Sequence, residues 1–111
     1  MANKRKRAKP ASSKRASLPR CSDHTKQFLK DWKRLSDSGR FDMLKLKEVM
    51  GLIVSNNGPL PPEWKDHELT GEWKEHRECH VGGDFLLIYT LDEKQNFVVF
   101  TRAGTHAELF R

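Results

Sequence analysis

The 111-residue sequence predicts one α+β domain, a helical hairpin packed on a small antiparallel-rich sheet with a short C-terminal helix. Three observations predict it. Residues 22–55 hold two stretches with apolar side chains at helical spacing. Residues 73–102 hold three short segments rich in apolar and β-branched residues, separated by turn signals. Residues 105–108, Thr-His-Ala-Glu, match the capping box that opens a helix.

Residues 1–17 are rich in Lys, Arg, Ala and Ser and nearly devoid of large apolar side chains. Such a segment cannot bury enough surface to offset the entropy of ordering, which predicts a basic disordered N-terminal arm followed by a folded domain over 18–111. The first helix is expected over 22–38, capped by Ser22 or Asp23, with Phe28, Trp32 and Leu35 on one face and Gly39 at its end. The second is expected over 41–55, with a stripe of Phe41, Leu44, Val49, Met50 and Ile53 that Asn56-Asn57-Gly58-Pro59 stops. Both stripes read as core. Pro59, Pro61 and Pro62 make 56–66 an extended loop. Strands follow over 73–81, 84–91 and 95–102, the second nearly all apolar and therefore central.

The net charge of +6 is misleading unless it is divided. Residues 1–20 carry eight lysines and arginines and no acid, leaving the rest of the chain with 13 cations against 15 carboxylates. The arm reads either as a solubility-promoting tail or as a polyelectrolyte arm for RNA or ribosome. The body is not a generic basic nucleic-acid-binding domain. No apolar run approaches a membrane span or the core of a secretory signal, so a cytoplasmic protein is expected. Cys21 and Cys79 lie too far apart for a Cys-x-x-Cys metal motif and make no disulfide framework.

The turns carry the functional argument. Gly82-Gly83 suits a two-residue hairpin, which sets His80 near Asp84 and Phe85. A second short connection returns Arg102 towards 84–86, and His106 follows at the opening of the last helix. His80, Asp84, Arg102 and His106 are thus expected at one end of the sheet. Histidine moves protons near neutral pH, and arginine suits a phosphate and the charge developing on it. A helix N-terminus at His106 favours anions. These are the parts for attack of a ribose 2′-hydroxyl on the adjacent phosphate, with no metal and no cofactor. His76 and His80 have the spacing of zinc ligands on a helix. On a strand they stand about 13 Å apart, too far for one ion.

Four ordered blocks resemble the YafQ-type toxins of the RelE superfamily: 65–73 (KDHELTGEW), 77–81 (RECHV), 84–89 (DFLLIY) and 102–110 (RAGTHAELF). The resemblance covers roughly residues 20–111. It implies a RelE-like fold and a type II toxin that cleaves mRNA on the ribosome without a metal and is held by a cognate antitoxin. It also implies His67, His80, Asp84, Arg102 and His106 as catalytic residues, with Phe85 and Phe110 packing against RNA. Phe85 stands where the family usually has tryptophan. Two other readings are a catalytically weak or inactive RNA- or antitoxin-binding module of the same fold, and a ParE-like gyrase poison. The latter relatives lack this histidine set.

Overall fold

The computed structural model describes residues 18–110, so the expected arm over 1–17 lies outside the described residues. In chain order the elements are β1 (Cys21–His24), α1 (Lys26–Ser38), α2 (Met43–Ser55), β2 (His67–Glu68), β3 (Arg77–Gly82), β4 (Phe85–Asp92), β5 (Phe97–Thr105) and α3 (His106–Phe110). Single 3-10 turns at Pro62–Trp64 and Gly71–Trp73 punctuate the loop between α2 and β3. Among the described residues five strands form one sheet in the order β1–β5–β4–β3–β2. Only β1–β5 is parallel; the other pairs are antiparallel. The expected helical hairpin, antiparallel-rich sheet and short terminal helix are all present. Among the described residues no helix is long and apolar enough to cross a membrane.

The first expected helix begins late. Residues 21–24 are instead a polar, exposed strand laid parallel to Phe97–Phe100. No apolar alternation announces it; backbone bonds hold it, from Cys21 N–H to Asn96 C=O at 3.0 Å and from Thr25 N–H to Phe100 C=O at 3.0 Å. The cap is therefore Thr25 rather than Ser22 or Asp23. Its hydroxyl oxygen accepts from Phe28 N–H at 2.9 Å and donates to Thr101 C=O at 2.7 Å, tying the start of α1 to β5. Thr25→Ala should cost about 1–2 kcal/mol. A urea titration checks this as a lower midpoint at unchanged slope.

Gly39 closes α1 in the left-handed conformation (φ 69°) that glycine adopts without steric cost. Asp42 caps α2 through its bond from Lys45 N–H at 3.0 Å. In α2 the buried stripe is Leu46, Val49 and Ile53, while Leu44 is 76% exposed and drops out of the expected set.

The alternation of β4 builds two cores. Phe85, Leu87 and Tyr89 face the helices and join Phe28, Leu35, Val49, Trp64 and Phe100. Leu86 and Ile88 point to the opposite face, where Leu109 of α3 covers them with Leu69, Trp73 and Phe110 at the rim. The expected strand over 73–81 is shorter, because Trp73 sits in a 3-10 turn and pairing begins at Arg77.

Candidate active site

The proline-rich loop delivers His67. Lys65 takes a left-handed backbone (φ 50°), an unusual one for a non-glycine residue, and its N–H bonds to Pro62 C=O at 3.0 Å. The next residue, Asp66, accepts from Arg77 Nε at 3.0 Å and Nη2 at 2.7 Å, and from the Tyr89 hydroxyl. This anchors the loop to the sheet, so that His67 pairs with Glu78. Burial, and after it the Asp66 carboxylate, push the Tyr89 hydroxyl far above its ordinary value.

His67, Glu78, Ile88 and Arg102 then stand in one cross-strand row. His80, Leu86 and Gly104 form another row two residues away and so on the same face. Glu78, 3% exposed, is the hub of the near side. Its Oε1 lies 3.2 Å from His67 Nε2 and 3.5 Å from His80 Nε2. The two imidazole centroids are 6.1 Å apart. The other nitrogen of His67, Nδ1, lies 2.8 Å from Lys65 C=O. Both nitrogens of that ring thus lie beside oxygen acceptors, which fixes the plane of the ring.

The far side is built on the turn after β3. Gly82 pairs with Phe85, so the turn residues are Gly83 and Asp84 rather than Gly82 and Gly83. A bulge at Val81 shifts the register, and His80 lies opposite Leu86, not Asp84 or Phe85. Asp84 Oδ1 accepts the backbone N–H of His106 at 3.1 Å and lies 3.5 Å from its Nδ1. The helix-start N–H expected to favour an anion is therefore already taken by Asp84. The expected capping box is formed: Glu108 Oε1 accepts from Thr105 N–H at 2.8 Å, and Thr105 Oγ1 accepts from Glu108 N–H at 3.3 Å. Phe110 packs on His106 at 5.1 Å between centroids and meets Trp73 edge-on at 6.0 Å.

Two expectations need correction. Phe85 is 5% exposed and packs on Phe41 with centroids 4.9 Å apart, in the core beneath the helices. The odd positions of β4 face inward, so Phe85 packs mainly in the core and leaves little surface for stacking on RNA; Phe110 keeps an exposed part. Arg102 lies opposite Ile88 rather than 84–86, because β5 runs on to Thr105 and Thr101 is bulged out. Its guanidinium meets Asp31 of α1, from Nε at 2.8 Å and from Nη2 at 3.1 Å.

Asp31 and Glu78 escaped sequence reasoning. For Glu78 a signal existed, since Glu78 and His80 alternate on one strand and must share a face. For Asp31 nothing pointed to the site, because the site residue it holds, Arg102, and the neighbouring Ala103 lie about 70 residues away in the chain. The rejected His76–His80 metal pair is replaced by another grouping: ligand atoms of His67, Glu78 and His80 all lie within 4.8 Å of one another. Of the two cysteines, Cys21 is exposed and Cys79 buried, and burial pushes the Cys79 thiol far up.

Residues 20–111 match the family model described as the bacterial toxin of type II toxin–antitoxin system, YafQ. The chain belongs to the YafQ family. It is 46% identical over 88 residues to the mRNA interferase toxin YafQ of Escherichia coli K12, covering 79% of this chain and 92% of that one. The crystal structure of the E. coli DinJ–YafQ complex superposes with a TM-score of 0.74 at 43% identity, over 83% of this chain and 99% of that YafQ-type chain. A copper-bound mutant toxin from Helicobacter pylori superposes with a TM-score of 0.71 at 38% identity, over 81% of this chain and 98% of the other.

Proposed function

We propose that this YafQ-family protein is the toxin of a type II toxin–antitoxin pair and inhibits translation by cutting mRNA on the ribosome. One observation carries the reading: a single sheet face bears His67, His80 and Arg102, with Asp84 and His106 at its end. The likeness to an mRNA interferase of E. coli supports it. The reaction is attack of a ribose 2′-hydroxyl on the adjacent phosphate. A base removes the hydroxyl proton and an acid protonates the departing 5′-oxygen. His67, His80 and His106 share those two roles. His67 is held in place by Lys65 C=O on one side and Glu78 on the other. Arg102 stabilises the phosphate charge, Asp84 sets the start of α3 and hence His106, and Phe110 lies beside His106 to pack against the nucleotide. The substrate implies a cytoplasmic site of action. A cognate antitoxin is the expected regulator, as DinJ partners the E. coli toxin.

Primer extension on cellular mRNA after expression of the chain tests this. In-frame, codon-specific cuts support a ribosome-dependent ribonuclease. Growth arrest with intact mRNA would favour a gyrase poison, and no arrest an inactive module.

The His67–Glu78–His80 cluster supports a second, inhibitory reading. Two imidazoles and a carboxylate within 4.8 Å suit copper or zinc, and the H. pylori relative is described as copper-bound. These three residues would hold the ion, and a bound ion would occupy the lone pairs needed for proton transfer. Copper(II) at low micromolar excess should slow cleavage, and a chelator should restore it. A double variant, His67→Ala with His80→Ala, should lose copper uptake in calorimetry.

A further inference from the structure

Asp31 is a fully buried carboxylate, 0% exposed, on a helix that otherwise supplies core and surface. An isolated buried charge is costly, so its partners define its purpose. Oδ2 accepts from Arg102 Nε at 2.8 Å and from the backbone N–H of Ala103 at 3.1 Å. Oδ1 accepts from Arg102 Nη2 at 3.1 Å, Arg34 Nη1 at 2.8 Å and Gln27 Nε2 at 3.3 Å. Burial alone would raise its pKa, but the bonds from Arg102, Arg34 and Ala103 outweigh burial and hold the carboxyl below its usual range.

The location is as telling as the count. β1 covers the outer edge of β5 only as far as Phe100. Beyond it, Asp31 takes the edge N–H of Ala103 and grips Arg102 beside it. The grip uses the Nε/Nη2 side of the guanidinium. Nη1 has no hydrogen-bond partner among the described residues, and the side chain stays 22% exposed. A second arm leads to His106. Arg34, held by Asp31 through Nη1, reaches Glu108 Oε1 through Nη2 at 3.2 Å. That same Oε1 caps α3 through Thr105 N–H. Gly104 makes room for this arm, since a Cβ there would stand 2.6 Å from Glu108 Oε1 and 3.1 Å from Arg34 Nη2.

We propose that Asp31 is a positioning residue for the cleavage reaction: it fixes Arg102 with Nη1 presented to the phosphate and, through Arg34 and Glu108, fixes the helix start that carries His106. This rests on the ribonuclease reading above. A misplacement of about 1 Å can cost on the order of 10²-fold in rate, which sets the scale expected for losing the grip.

The test is a double-mutant cycle on single-turnover cleavage of ribosome-bound mRNA, with folding followed by circular dichroism. Asp31→Asn should lower kcat by roughly 10–100-fold at little-changed KM. In an Arg102→Ala background the same substitution should have much less effect, because most of its target is gone. Equal fold losses in both backgrounds would overturn the proposal. Gly104→Ala, which leaves Asp31 intact, should also lower kcat; a wild-type rate would remove the His106 arm. Should Asp31→Asn not fold, nitrogen-15 NMR of the wild-type protein decides. The Arg102 Nε–H should be protected from exchange, and should stay so when a 2′-deoxy-substituted oligonucleotide is added while the Nη signals shift. Exchange as fast as a free guanidinium would overturn the grip. A wild-type protein that cuts no mRNA would sink the ribonuclease reading instead, and the NMR result would stand apart from it.

Discussion

Replacing His106 with alanine should lower mRNA cleavage by about 10²–10⁴-fold, the range expected for losing a general acid or base, and should abolish growth inhibition. Stability should stay within about 0.5 kcal/mol of the parent. The separation of the two effects follows from the geometry. The side chain is 60% exposed, with Nδ1 3.5 Å from Asp84 Oδ1 and the ring beside Phe110. The bond that matters for the start of α3 comes from the backbone N–H to Asp84 Oδ1, and alanine keeps it. The capping box between Thr105 and Glu108 is likewise untouched. Full toxicity in a folded variant would remove His106 from the mechanism. An inactive variant with a collapsed melting curve would say only that the ring is structural, an outcome its exposure argues against.

The legibility of this site in the sequence followed the range of the interactions that build it. The capping box at 105–108 and the strand–turn–strand meander were readable because each depends on residues within a few positions of one another. The convergence of His80, Asp84, Arg102 and His106 was readable in outline for the same reason. Its detail was not. A bulge at Val81 and another at Thr101 each add one residue to a strand, and no side-chain pattern marks them. They decide that Phe85 faces the core and that Arg102 lies opposite Ile88. The partners of the catalytic groups were least legible. Asp31 meets Arg102 across 71 positions and Asp66 meets Tyr89 across 23, and nothing local singles out either acid among the 15 in the chain. β1 was missed because its four residues are polar and its partner supplies all the apolar character. His67 entered only through the family resemblance, since its strand is two residues long and follows a proline-rich loop.

Asp66→Ala should be among the most destabilising single changes near the site, costing about 2–4 kcal/mol, on the order of 10 °C or more in Tm. Its carboxylate satisfies the Tyr89 hydroxyl, deep in the helix-side core, and two nitrogens of the Arg77 guanidinium. Alanine would leave the buried Tyr89 hydroxyl without this partner and strip the part-exposed Arg77 of its main one. The remaining carboxylate near Arg77, Glu68 at 3.5 Å, is solvent-exposed and offsets little. The Arg77 guanidinium is held above its ordinary value first of all by the bond it donates to Asp66, and alanine removes that bond. The functional consequence travels one residue along the chain. Asp66 anchors the loop that presents His67 to Glu78, so cleavage should fall along with stability. Tyr89→Phe isolates the components: Asp66 keeps Arg77, and only a hydroxyl bond worth about 1 kcal/mol is lost. In the Tyr89→Phe background the cost of Asp66→Ala should shrink, because no buried hydroxyl is left without a partner. Chemical denaturation of the four proteins measures the coupling. Additive losses would show that Tyr89 and Asp66 act independently, and an Asp66→Ala protein as stable as the parent would mean the loop is anchored by other contacts.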